Sequence, residues 1–211
     1  MSVFIYIKRL IVFLLNKIGY DLVFSKVGRN SYTIVDTSSW EPFFLPDANR
    51  KKYLEGQTKS KNKEYDNFPK QLRFYSLYQL AEHVLKNKIP GHFVECGVWT
   101  GHSAYILCSL IKENNSKDEL YIFDSFEGGL SGKNLKDENL RYNYDEKMNA
   151  HESRVFSSTE QQVRDCLEEF KFFKIYPGWI PSRFKEVKDS KFSFIHIDVD
   201  LYEPTLDSLE F

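Results

Sequence analysis

Apolar positions along the chain change period several times, and each change marks an element. Phe74, Leu77, Tyr78, Ala81, Val84 and Leu85 recur at helical spacing behind Pro69, which suits a helix start, and Pro90-Gly91 ends that helix. A short apolar run, Phe93-Val94, then closes on Glu95, and a turn from Gly97 to Gly101 leads into a second helical stretch, Ser103 to Lys112. Asn114-Asn115-Ser116 marks a loop before the strand-like run Leu120-Tyr121-Ile122-Phe123, which ends at Asp124. Ser158 followed by Gln161 suits a helix cap, with Val163, Leu167 and Phe170 giving the helix an apolar face. Lys174-Ile175-Tyr176 reads as a short strand ending at Pro177-Gly178-Trp179. Phe192 to Ile197 reads as a buried-type strand ending in Asp198-Val199-Asp200, and Glu203-Pro204-Thr205 opens a last helix. Strands alternating with helices predict an α/β fold, a Rossmann-like doubly wound and mostly parallel sheet.

The front of the chain follows a different pattern. Val3 to Leu15 is apolar but interrupted by Lys8 and Arg9, too short and too charged to span a bilayer, and it lacks the charge order and cleavage site of a signal peptide. Two readings follow: a helix packed on its own domain or a partner subunit, or an amphipathic helix over residues 3–18 in peripheral contact with the inner membrane surface. Trp40 to Pro46 reads as an extended, anchored loop, and the lysine-rich stretch from Asn49 to Asp66 as a solvated connector. The expected organisation is therefore an N-terminal helical extension over 1–66 and a sheet domain over 67–211. Residues 127–157, which include Arg141, Tyr142, Tyr144 and His151, read as a polar loop or a lid.

Composition narrows the function classes. Hydrophobic residues make up 42% and aromatic residues 16% of the 211 positions, enough for a packed core. A formal net charge of −1 argues against nucleic acid as a partner. Cys96, Cys108 and Cys166 form no CxxC pair, which fits free thiols in the cytoplasm and offers no structural zinc site.

Three predicted strands end in carboxylates: Glu95, Asp124, and Asp198 with Asp200. Ligands of a doubly wound sheet bind at those ends, and crowded carboxylates are costly without a ligand to offset their repulsion. In the run from Glu95 to Ser103, Gly97 and Gly101 permit a tight turn and a close backbone approach to a ligand. This is not the dinucleotide fingerprint; it fits the E/DxGxxxGxS pattern of S-adenosylmethionine enzymes. Asp124 lies 23 residues beyond Gly101, where an acid accepts hydrogen bonds from ribose hydroxyls. Residues i and i+2 of an extended strand share a side, so Asp198 and Asp200 can meet one Mg²⁺ that holds two sugar hydroxyls and lowers the pKa of the acceptor. Capping of the following helix is the plainer role for that pair. His196 points the same way as Asp198, while the direction of His102 is left open.

Phe93 to Trp99, Phe123-Asp124-Ser125-Phe126-Glu127-Gly128, Gly178-Trp179 and Ile197 to Thr205 together resemble the macrocin O-methyltransferase family over residues 69–211. The resemblance implies a class I methyltransferase using S-adenosylmethionine and Mg²⁺ to methylate a hydroxyl on a sugar, in a glycan, glycolipid or glycosylated natural product. It implies that Glu95, Gly97, Gly101 and Ser103 line the methionine-side pocket, that Asp124 holds the ribose, and that Phe126 lies near the adenine. Asp198 and Asp200 would form the metal and acceptor site, and a homo-oligomer is left open.

The family continues past the Asp-Val-Asp strand into a glycine turn and an Asp-Asp pair, so the expected sheet lacks its C-terminal strands and exposes an edge. Two competing readings stand beside this one: a glycosyltransferase chelating its metal through Asp198-x-Asp200, and a catalytically inactive S-adenosylmethionine-binding fragment. The turn from Glu95 to Ser103 has no use in the first.

Overall fold

A computed structural model describes residues 11, 13–15, 17, 20–22, 34–36, 47–61, 68–127 and 155–211. The loop at 40–46 and the residues 128–154 of the expected lid lie outside the described residues. Two compact units divide at 46/47. In the first, residues 11, 13–15 and 17 are helical, and β1 (Tyr20–Leu22) pairs antiparallel with β2 (Ile34–Asp36).

The second unit begins with α1 (Asp47–Lys59), where the sequence suggested a solvated connector. One face nevertheless packs inward, and Lys52 lies on it with its ammonium 2.7 Å from Glu113. Tyr53 on that face is 3% exposed, and Gly56 comes so close to His102 that an added Cβ would stand 2.8 Å from its ring. The compact unit therefore starts ahead of the boundary expected at 66/67.

α2 (Phe68–Lys86), β3 (His92–Cys96), α3 (His102–Glu113) and β4 (Leu120–Asp124) follow the apolar periods closely. α4 (Glu160–Cys166) begins one residue later than the Ser158 cap suggested. Thr159 Oγ accepts from the Gln162 amide at 3.2 Å, and Gln162 Oε1 accepts from the Thr159 amide at 2.9 Å. Both pairs have the box spacing, but this phase buries Val163 and Cys166 on one side. β5 (Phe173–Pro177), a 3₁₀ turn (Phe184–Val187), β6 (Phe192–Ile197) and α5 (Tyr202–Glu210) complete the unit.

All four strands of the sheet run parallel in the order β5-β4-β3-β6. The chain builds outward from β3 through β4 to β5, then returns to the other side of β3, which puts the switch point between β3 and β6. α3 lies between the sheet and the helices α1 and α2, so it is covered all round and nine of its residues are buried. Leu107, Leu110 and Ile111 are wholly enclosed, each worth roughly 1.5–3 kcal/mol. Val94 and Cys96 join Tyr121, Phe123, Phe184 and Val187 in a cluster on one face. Alternation sends Phe93 and Glu95 to the opposite face. Among the described residues β6 is an outer strand, and its Ile195 is 54% exposed.

Candidate active site

The tips of the strands are tied together one residue beyond the regular ladder. The Gly97 amide donates to the Phe123 carbonyl at 2.8 Å, the Asp198 amide to Cys96 at 2.8 Å, and the Gly178 amide to Asp124 at 2.9 Å. These bonds hold the loops after β3, β4, β5 and β6 at one edge of the sheet, where ligands of such folds bind. Gly97 sits at φ +84°, and a Cβ there would lie 2.2 Å from the Asp198 carbonyl oxygen. Its smallness thus serves the packing of β6 on the turn, where the sequence suggested room for a ligand. Gly101, at φ +93°, faces Cys166 of α4 and lines no described cavity.

Asp124 organises the turn from its own strand. Oδ2 accepts from the amides of Val98 and Trp99 at 2.8 and 3.1 Å, and Oδ1 accepts from Phe126 at 2.9 Å. A carboxylate offers about four acceptor positions, so one is left for a ligand hydroxyl. Trp99, Phe126 and Asp200, at φ 47°, 53° and 59°, adopt left-handed backbone that non-glycine residues avoid. All three lie in the loops beyond the strand tips, the kind of place where strain is retained for a purpose.

Two cavities open here, sharing Gly97, Trp99, Phe156, Asp198 and Asp200. The smaller, about 90 Å³, is lined by Asp124 and Ser125 and walled by Trp179, Ile180 and Phe156. Trp179 is held by a 2.7 Å hydrogen bond from its indole to Glu127. The larger, about 840 Å³, runs between α2 and β6 and reaches His102, Ser103 and His196. Of the residues singled out from the sequence, Asp124, Ser103, Gly97, Asp198 and Asp200 line one or both cavities. Phe126 lines neither; its amide anchors on Asp124 and its place against the ligand space is taken by Phe156 and Trp179.

Glu95 lies beneath the floor. Its side chain is wholly buried, and Oε1 accepts from His196 Nδ1 at 2.9 Å, while Oε2 has no hydrogen-bond partner among the described residues. Burial opposes charge on His196, but the hydrogen bond and charge of Glu95, with Asp198, outweigh it and raise the imidazole pKa above its ordinary value. His102 is the opposite case. Burial drives its pKa down to about 3, against the raising effect of a hydrogen bond to Tyr53. Nε2 stands 2.8 Å from the Tyr53 carbonyl and so carries the hydrogen, which leaves the buried Nδ1 as a bare acceptor.

Asp198 and Asp200 stand past the end of β6, so the alternation of an extended strand does not place them. The left-handed turn at Asp200 brings both to the same cavities instead. Two carboxylates suit a hard cation that keeps water or substrate oxygens as its other ligands. Among the described residues no cluster of three or more His, Cys, Asp or Glu is placed to hold a metal.

The family model for macrocin-O-methyltransferase (TylF) matches residues 15–211. The chain belongs to this family. Among its TylF-type relatives, demethyldecarbamoylnovobiocin O-methyltransferase of Streptomyces niveus is 30% identical over 65% of this chain and 53% of its own length. The 8-demethyl-8-(2,3-dimethoxy-alpha-L-rhamnosyl)-tetracenomycin-C 4'-O-methyltransferase of Streptomyces olivaceus is 28% identical over 65% of this chain and 53% of its own. The chain thus spans about half the length of the curated relatives it matches. The solved structure of the O-methyltransferase NovP superposes with a TM-score of 0.55 at 22% identity, over 65% of this chain and 57% of NovP, and shares the fold.

The α2 residues at the larger cavity carried no site signal in the sequence, whereas His196, His102 and Trp179 were singled out there without a settled role. For Trp179 a signal was available, since it follows β5 at the same edge as the other tips. Lys70, Arg73 and Phe74 share a helix face by spacing, but only the packing of α2 shows that this face meets the cavity.

Proposed function

We propose that this TylF-family chain binds S-adenosylmethionine and takes part in methyl transfer to a sugar hydroxyl. The observation that carries the reading is that Asp124 and the Asp198–Asp200 pair open onto adjoining cavities around one turn, Gly97 to Trp99. Asp124 has acceptor capacity for a ribose hydroxyl, beside the flat apolar walls of Trp179 and Phe156 that suit a nucleoside base. Trp99, which lines both cavities, has an indole Nε1 with no hydrogen-bond partner among the described residues, a donor that a polar ligand group can draw on.

S-adenosylmethionine, when bound, supplies an electrophilic methyl group. The chain's own part is positional and electrostatic. Asp198 and Asp200 accept hydrogen bonds from the acceptor hydroxyls and would hold Mg²⁺ beside them, lowering the hydroxyl pKa. The carboxylate oxygens of the same pair receive the proton. His196, hydrogen-bonded to the buried Glu95 carboxylate, fixes the wall beside Asp198. The Streptomyces olivaceus relative is named for a rhamnosyl-bearing tetracenomycin, which supports a sugar acceptor. Free, buried Cys96, Cys108 and Cys166 support a cytoplasmic setting. Exposed Ile11, Phe13 and Leu14 support the peripheral membrane contact; no helix among the described residues is long and apolar enough to cross a membrane.

Calorimetric titration with S-adenosylhomocysteine and with UDP-glucose separates this reading from a glycosyltransferase. Saturable binding of the first, with none of the second, is the expected result. Binding of UDP-glucose alone would overturn it.

A further inference from the structure

His102 opens α3 and lines the larger cavity, yet the whole residue is only 3% exposed. Its ring is fixed from two helices. The Phe74 ring of α2 packs 4.1 Å away and the Tyr53 ring of α1 4.8 Å away, centroid to centroid. Cδ2 and Nε2 lie against α1, where Gly56 leaves them room and the Tyr53 carbonyl accepts from Nε2 at 2.8 Å. Nδ1, on the opposite edge of the ring, is thereby turned away from α1 and keeps its lone pair. It meets no hydrogen-bond partner among the described residues. An acceptor shut away from water is costly to leave unmatched, so such an atom on a residue that lines a ligand cavity calls for a donor.

The surroundings narrow the chemistry of that donor. Burial above all, with the nearby Lys70 ammonium adding to it, outweighs the Tyr53 hydrogen bond and keeps the ring neutral. The same ammonium repels a second cation, which disfavours a charged donor. A neutral hydroxyl meets no such repulsion, and Asp198 and Asp200 on the same cavity also accept from hydroxyls. We propose that His102 is a specificity-determining residue, accepting a hydrogen bond from a hydroxyl of the acceptor sugar other than the one held by Asp198 and Asp200. This rests on the methyltransferase reading of the same site and adds a second point of recognition to it. The sugar must then present two hydroxyls at a fixed spacing. An analogue lacking the second is rejected, because it leaves the nitrogen buried and unpaired.

The test follows the His102 ring by NMR in the whole chain labelled with ¹⁵N-histidine. The ring is recognised by staying neutral at pH 5, where imidazoles of ordinary pKa are charged. Methyl α-L-rhamnoside and methyl α-D-glucoside are titrated in turn, each with S-adenosylhomocysteine already bound. At least one glycoside moves the Nδ1 signal upfield, as a new hydrogen bond to that nitrogen requires. By calorimetry the same glycoside binds His102→Gln about tenfold or more weakly, since glutamine can still donate to Tyr53 but offers nothing at Nδ1. His102→Asn, with an acceptor near the Nδ1 position, keeps part of the affinity. An Nδ1 signal that neither glycoside moves, or an affinity unchanged in His102→Gln, overturns the proposal. A signal that moves fully with S-adenosylhomocysteine alone assigns the donor to the cofactor and overturns it too. S-adenosylhomocysteine is also titrated by itself. If it does not bind, the methyltransferase reading falls and the present proposal falls with it. If it binds and the glycosides leave Nδ1 unmoved, only the present proposal is lost.

Discussion

Glu95 and His196 face each other across paired positions of β3 and β6, with carboxylate and imidazole 2.9 Å apart. The contact joins a wholly buried acid to the wall of the larger cavity, so the first strand-tip carboxylate acts on the site through a histidine. Glu95→Gln keeps a hydrogen-bond acceptor and removes the charge. The His196 pKa should then fall, as followed by NMR of the ring protons. Because the folded pKa is raised, the charge-dependent stability of the pair is complete below the unfolded value of about 6.5 and is lost as pH rises through the folded value. In the variant, denaturation at pH 6 should show a loss of about 1–3 kcal/mol that narrows at pH 9. An unmoved His196 titration would contradict the pairing.

His102 has the reverse linkage. Its folded pKa lies near 3, so at acid pH the unfolded chain binds a proton that the folded chain refuses. Stability attributable to this site is complete above pH 6.5 and declines as pH falls toward 3; at pH 5 the loss is about 2 kcal/mol. His102→Gln should flatten the stability curve between pH 4 and pH 7 in urea unfolding. A curve as steep as that of the parent would show that other groups set the slope.

Gly97→Ala places a methyl group against the Asp198 carbonyl, in a left-handed backbone that alanine resists. The neighbour is backbone and cannot swing away. Unfolding midpoints should fall by the equivalent of on the order of 3 kcal/mol, and S-adenosylhomocysteine binding should weaken with them. A variant as stable as the parent would mean that the tips of β3 and β6 stand further apart than described.

Asp124→Asn replaces an oxygen that accepts from backbone amides with an amide group or forces a flip that loses the same bonds. Binding of S-adenosylhomocysteine should weaken about tenfold or more, with a smaller loss of global stability, since the effect is confined to the turn. Unchanged affinity would remove Asp124 from the cofactor site.

The order of strands and helices was legible in the apolar periods, because each period states which side of a local element must be buried. Strand-tip acids were legible too: Asp124, Asp198 and Asp200 end apolar runs, and a parallel sheet brings such ends to one edge. The α1 helix was hidden because its lysines dominate the composition, while the few positions that pack, Tyr53 and Gly56, matter only opposite His102.

Local periodicity alone, then, specified an α/β unit with acids gathered at one edge of its sheet. It did not specify which of those acids meet solvent. Glu95 and His196 are 101 residues apart, and only the register between β3 and β6 makes one the buried partner of the other. The same holds for Gly97 against Asp198, and for the α2 cations at the cavity wall. Each depends on distances between distant segments, and those distances are set by how the whole core packs.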